Sequence, residues 1–213
     1  LLEVQPATWN KDFNFVSVLI NTAIFDWGIY LPNNPCKMIK RSKEPAPRLR
    51  VLEDEEYDRL LQACGEVDLI YLDKTFVFSI ETTVRQGELL NAMWEHVNFE
   101  KRTLFIPDTK TGYLSKDLTS NRTIPLSSLA IKTLQQLPRH ISGKIFPITR
   151  DQLNQKWKLA KKKAKIKDYH WHDNRCTGIS WCFEKKNLDV SEVMTISGHK
   201  SPTILLKRYT KLN

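Results

Sequence analysis

The chain has 213 residues, with 33 lysines and arginines against 24 acidic residues and a net charge of +9. That length holds one sizeable core and a smaller unit, and the positive balance points to a polyanion, nucleic acid ahead of a membrane. No apolar run is long enough for a membrane-spanning helix, no signal peptide is visible, and Cys36, Cys64, Cys176 and Cys182 form neither a CxxC pair nor a zinc-ligand spacing, so a disulfide scaffold and a zinc module are set aside and a reducing cytoplasm fits.

The chain opens on LLEVQP rather than Met, so it is expected to be a piece of a longer protein. Residues 8–30 predict one amphipathic helix, with Phe13, Val16, Leu19, Ile20, Ala23 and Trp27 recurring at helical spacing. Its apolar face is expected to pack within its own unit, and Pro32 and Asn33-Asn34-Pro35 to end it. Residues 37–50 are basic and carry Pro45 and Pro47, the signature of an exposed interdomain linker.

From Leu52 a new element begins. Asp54, Glu55 and Glu56 place acids in a first helical turn, Tyr57, Leu60 and Leu61 give the apolar face, and Gly65 is a candidate C-cap. Residues 66–81 are apolar enough for a buried helix. Arg85 then sits at a break between helices, beside threonines and a glycine; in isolation it reads equally as a surface arginine paired with Glu88. Residues 94–106 predict strand, turn and strand around 98–102, with Trp94 in the core, and Arg122 to Leu126 a third strand after a polar segment that carries Lys110 and Lys116.

Residues 127–137 predict a helix with Leu129, Ile131 and Leu134 inward. Residues 152–167 predict another, with Leu153, Trp157, Ala160 and Ala164 on one face and lysines over much of the rest. Those lysines read either as a solvated face or as contacts to phosphates without sequence preference. A helix from about His172 to Lys186 has Ile179, Trp181 or Cys182, and Phe183 on its inner side; a short helix over 188–196 ends at Ser197-Gly198, and a last one holds Tyr209. The fold class is mainly α with a small antiparallel β-sheet, an α+β arrangement.

The chemistry concentrates in residues 169–209. His172 and Arg175, three apart on a helix, share a face. The guanidinium offers a planar fork suited to phosphate oxygens, and imidazole can donate to an oxygen or move a proton near neutral pH. Gly198-His199 reads as a turn presenting a second imidazole. A tyrosine hydroxyl ionises near pH ~10 and attacks poorly unless cations stabilise the developing charge.

ETTVRQGELLNAMWEHVNF, TKTG with NRTIPL, HDNR, SGHKS and LKRYTKL stand in this order from about residue 50 to the end. In these motifs the chain resembles the tyrosine recombinases of the phage-integrase family, and within it shufflon-type DNA invertases and mobile-element integrases. The resemblance implies a catalytic set of Arg85, Lys110, His172, Arg175 and His199, with Tyr209 as nucleophile. Lys116 rivals Lys110 as the hairpin lysine that protonates the leaving oxygen. It implies a tyrosine-recombinase catalytic domain over 51–213, a linker at 41–50 that crosses the DNA, and over 1–40 the last part of a helical core-binding domain. Double-stranded DNA at a specific recombination site is the expected partner, with a homotetramer for the full-length protein and neither metal nor cofactor. Lys40, Arg41, Lys43, Arg122, Lys161, Lys162, Lys163 and Lys165 are the candidate DNA-binding residues. A type IB topoisomerase, which shares the chemistry, and a degenerate DNA-binding module are the alternatives.

Three positions depart from the family pattern. Asn174 stands where an apolar residue is usual, Cys176 where His is frequent, and the interval from His199 to Tyr209 is one residue longer than common. The chain also ends four residues after Tyr209, where relatives continue into a tail that docks on a neighbouring protomer.

Overall fold

A computed structural model describes residues 4–45, 48–107 and 121–209. The chain divides into two compact units, Leu1–Arg48 and Leu49–Asn213.

The first unit is one long helix, α1 (Pro6–Phe25), with the following chain fastened along it. Proline at the first helical position lacks an N–H that would be unpaired there anyway. Two asparagines do the fastening. Asn34 donates to the Ser17 carbonyl at 2.9 Å and to Asn21 Oδ1 at 2.9 Å. Asn10 donates to the Ser42 carbonyl at 2.9 Å and accepts from the Ser42 N–H at 3.2 Å. The helix stops earlier than its apolar periodicity suggests. Gly28, at φ +68°, turns the chain so that the Ile29 N–H reaches the Ala23 carbonyl at 3.0 Å, and glycine is the usual residue for such a left-handed stop. The expected burial is also only partial: Phe13, Ile20 and Ala23 are half-buried, whereas Val16, Leu19 and Trp27 stay exposed within this unit.

The second unit is mostly helical around a three-stranded antiparallel sheet. Helix α2 (Asp54–Gly65) opens on a capping box, in which the Glu53 N–H donates to Glu56 at 3.2 Å. Helix α3 (Leu72–Thr82) begins later than the apolar run, because residues 66–71 form turns that end on Tyr71 at φ +62°. Helix α4 is short (Gln86–Leu90). Strands β1 (Val97–Asn98), β2 (Thr103–Ile106) and β3 (Arg122–Pro125) pair in that order, with Val97 opposite Leu104 and Ile106 opposite Arg122. Trp94 is buried, as its apolar flanks predict, with Arg139 over its ring at 5.4 Å.

Helix α5 (Ser128–Gln135) is capped by the Ser127 hydroxyl, which accepts from the Ala130 N–H at 3.1 Å. That cap sets the phase, turning Ala130, Thr133 and Leu134 inward and leaving Leu129 exposed, contrary to the sequence reading. Helix α6 (Arg150–Lys163) buries Leu153, Trp157 and Ala160 as expected. Helix α7 (Asp173–Glu184) buries Ile179 and Cys182 and leaves Trp181 and Phe183 half-buried. Helices α8 (Val190–Ser197) and α9 (Pro202–Tyr209) close the chain.

Two hydrophobic cores result. The larger includes Leu60, Phe76, Phe78, Leu89, Leu104, Ile124, Leu134, Phe146, Leu153 and Tyr169. The smaller gathers Cys176, Ile179, Cys182, Val193 and Leu205. All four cysteines are reduced and buried. No helix among the described residues is long and apolar enough to cross a membrane.

Candidate active site

Helix α3 ends on Thr83, which adopts a left-handed backbone at φ +53°. A β-branched residue enters that region at a cost of about 1–2 kcal/mol, so the surroundings must hold it there. They do so from α7. The Thr83 carbonyl accepts from Arg175 Nη1 at 2.6 Å, and the Thr83 methyl lies against Gly178. Two residues on, Arg85 is extended and caps α4.

Arg85 meets Glu88, one helical turn away. The Glu88 carboxylate accepts from the Arg85 N–H at 2.8 Å and from Arg85 Nη1 at 2.9 Å. It also accepts two parallel bonds from Arg122, Nη1 at 3.0 Å and Nη2 at 2.8 Å. Burial by itself would raise the Glu88 pKa. The bonds from Arg122 and Arg85 outweigh it and hold the group at about 2. The Arg85 side chain is 39% exposed and Arg122 only 16%, so the first faces outward and the second is internal.

Arg175 is 5% exposed, far more buried than a solvent-facing phosphate fork. Its Nη2 donates to the Ser197 carbonyl at 2.6 Å, while Nη1 holds Thr83. One guanidinium thus joins the segment that precedes Arg85 to the segment that precedes His199. Ser197 is fully buried, and its hydroxyl lies 2.7 Å from His199 Nδ1, which orients the ring. Gly198 turns the chain out of α8 at φ +70°. His172, at the start of α7, is exposed, and the Arg175 N–H bonds its carbonyl at 3.2 Å.

Two departures now have partners. Asn174 is buried and donates to the Ser79 hydroxyl of α3 at 3.1 Å, a polar pair where an apolar contact is usual. Cys176 lies in the smaller core, so its position asks for an apolar side chain of modest size.

The structure therefore ties the segments that carry Arg85 and His199 to Arg175 through buried bonds to the Thr83 and Ser197 carbonyls, with His172 at the start of the same helix as Arg175. Tyr209 is the last residue of α9, and its side chain lies outside the described ones, as do Lys110 and Lys116 entirely. Among the DNA-binding candidates, Lys40, Arg41, Lys43, Lys162, Lys163 and Lys165 are exposed and Lys161 is half-buried. Lys163 pairs with Glu66 at 2.5 Å, and Arg41 sits over Phe13 at 5.9 Å. Arg122 points inward. The alternation of β3 carried that signal, because Arg122 shares a face with Ile124, which is fully buried. The sequence marks Thr83 and Ser197 only as breaks, beside Arg85 and before His199, and does not show that their carbonyls hold Arg175.

Residues 50–213 match the model of the phage integrase family. The chain is 35% identical over 211 residues to the shufflon-specific DNA recombinase of Escherichia coli, covering 98% of this chain and 52% of that protein. It therefore spans about half the length of that relative. Its fold is similar to that of a lambda integrase dimer bound to a COC' core site (TM-score 0.75, 18% identity, 96% of this chain and 59% of that one). It is also similar to the Tn1549 transposon integrase in complex with a circular intermediate DNA (TM-score 0.71, 20% identity, 97% of this chain and 76% of that one). At those identities the likeness speaks for the fold; the family match and the recombinase relative speak for descent, and the chain belongs to the phage integrase family of tyrosine recombinases.

Proposed function

We propose that this chain is the DNA-cleaving part of a site-specific recombinase. The observation that carries the reading is Arg175, whose guanidinium ties the Arg85 segment and the His199 turn into one cationic site. In this reading Arg85 and Arg175 neutralise the non-bridging oxygens of the scissile phosphate, and His172 and His199 hydrogen-bond the same group. The Tyr209 hydroxyl gives up its proton with help from His172, and its oxygen attacks phosphorus. A 3′-phosphotyrosyl bond forms, the bond to the 5′ oxygen breaks, and Lys110 gives that oxygen its proton. General acids contribute roughly 100- to 10,000-fold to such a step. A 5′-hydroxyl of a partner duplex then attacks the phosphotyrosine, the phenol leaves and is reprotonated with help from His172, and the strands are exchanged.

The exposed Lys40, Arg41 and Lys43 and the lysines at the end of α6 contact phosphates. Residues 1–40 are read as part of a core-binding domain, and residues 41–50 as the linker that crosses the duplex. The full-length protein works as a homotetramer on its site. The relative's name, a shufflon-specific recombinase, favours exchange between sites over relaxation of supercoils.

The test is covalent capture. Wild-type protein is incubated with a pool of nicked duplexes of randomised sequence, so that the short cleaved strand diffuses away, and is run on a denaturing gel. A shifted band is expected for wild type and not for Tyr209→Phe, Arg85→Ala or Arg175→Ala. A band that survives in Tyr209→Phe moves the nucleophile elsewhere; one undiminished in either arginine variant removes the clamp.

A further inference from the structure

We propose that Arg122 is a positioning residue for strand cleavage, its one guanidinium setting both the presentation of Arg85 and the turn that presents His199. The proposal rests on the recombinase reading above.

Three observations place it. Arg122 opens β3 on the inward face, 16% exposed, and both terminal nitrogens of its guanidinium are taken up by Glu88. Its two terminal nitrogens take one oxygen each of Glu88, and Arg85 takes the same two oxygens through its N–H and Nη1. Four bonds fix the plane of that carboxylate, and Arg85 inherits its direction from it. A lone Arg85–Glu88 pair three residues apart on a surface would leave that plane free to turn.

The other side of the Arg122 side chain rests on Gly198. A methyl at Gly198 would come within 2.6 Å of Arg122 Nε and 2.7 Å of its Cδ. Gly198 is in the left-handed region and directly precedes His199. The arginine stem therefore forms the floor under the turn. Arg122 Nε is buried and bonds no described residue, so its place is set by the Glu88 fork and by Gly198. Arg122 is assigned no contact with substrate or reacting atoms. It acts through Arg85 and His199, which come from opposite ends of the unit.

The test uses the whole chain and a nicked duplex recovered by the capture experiment. Arg122→Lys keeps the charge and loses the fork. Single-turnover cleavage at saturating protein is expected to fall about 100-fold, the scale of a 1 Å misplacement, with DNA affinity within about twofold of wild type. Adding Glu88→Gln should lower the rate by less than Glu88→Gln does alone, since both act on one carboxylate. Normal cleavage at saturation with weaker binding and a log-log salt slope reduced by about 0.9 would make Arg122 a phosphate contact and overturn the proposal. Normal cleavage with only a lower melting temperature would make it structural and overturn it equally. Should Arg122→Lys not fold, Arg122→Met keeps the stem against Gly198 and is read in the same way. If wild-type protein captures no duplex at all, the recombinase reading fails on its own. The positioning claim is then decided by NMR: the Arg85 Nε–H and His199 ring signals move in Arg122→Lys while the Trp157 indole stays, and unmoved signals refute it.

Discussion

Gly178 of α7 lies directly against the Ile80 carbonyl of α3, so close that a Cβ there would stand 2.2 Å from that oxygen and 2.9 Å from Thr83 Cγ2. This approach seats α7, and with it Arg175, on the end of α3. Gly178→Ala tests it. In an ordinary helix the change would stabilise by about 0.5–1 kcal/mol. Here backbone must give way, and overpacking of this kind costs about 1–3 kcal/mol. A lower urea midpoint and slower cleavage are expected; a higher midpoint would mean the helices are not so close.

Acid should reach the site through Glu88. Its folded pKa of about 2 lies below the ordinary carboxylate value of about 4.3. Its ionised form therefore stabilises the fold fully above that ordinary value, and the contribution is lost as pH falls towards 2. The ceiling is about 3 kcal/mol from a shift of that size. Urea unfolding between pH 5 and pH 2 should show a steep loss in wild type and a flatter one in Glu88→Gln. Equal slopes would mean that Arg85 and Arg122 do not hold this carboxylate.

Asn174→Leu is expected to leave stability unchanged or raise it by about 1 kcal/mol. Asn174 Oδ1 is buried without a hydrogen bond to any described residue, and an unpaired buried polar atom is a liability. The Ser79 hydroxyl would keep its bond to the Phe76 carbonyl at 2.7 Å. Calorimetry decides it: a clear drop in melting temperature would show that the Asn174–Ser79 bond outweighs the orphaned oxygen.

The lysines after the apolar face of α6 should act without regard to sequence. Lys162→Ala and Lys165→Ala, both at exposed positions, are each expected to weaken binding to unrelated duplexes alike and to flatten the log-log salt dependence by about 0.9. Lys163→Ala should do less, because Glu66 already pairs with it at 2.5 Å. Titration of a random duplex at several salt concentrations measures all three.

Much of this is legible in the sequence. The acids that open α2, the buried face of α6 and the strand-turn-strand over β1 and β2 follow from local spacing, and the order of HDNR, SGHKS and RYT points to the candidate site. What escaped were relationships between distant segments. Periodicity groups residues on a face without saying what the face meets, so Arg122 read as a cation for DNA although its partner, Glu88, lies 34 residues earlier. Arg175 read as a free fork because the carbonyls it holds, at Thr83 and Ser197, belong to backbone, which composition does not reveal. Leu129 failed for a smaller reason: a hydroxyl cap shifted the helix phase.

The smaller core has a consequence of its own. Helix α9 meets the rest of the unit through α8 and this smaller core, whose described buried side chains are Cys176, Ile179, Cys182, Val193 and Leu205, while Arg85 and Glu88 belong to segments anchored in the much larger one. Regions with few buried apolar contacts open locally at lower free energy than the global transition. The amides of α8 and α9 should accordingly exchange with solvent deuterium sooner than those of α3 and α6. Helix α9, which bears Tyr209, is thus expected to loosen and re-form more readily than the helices of the larger core.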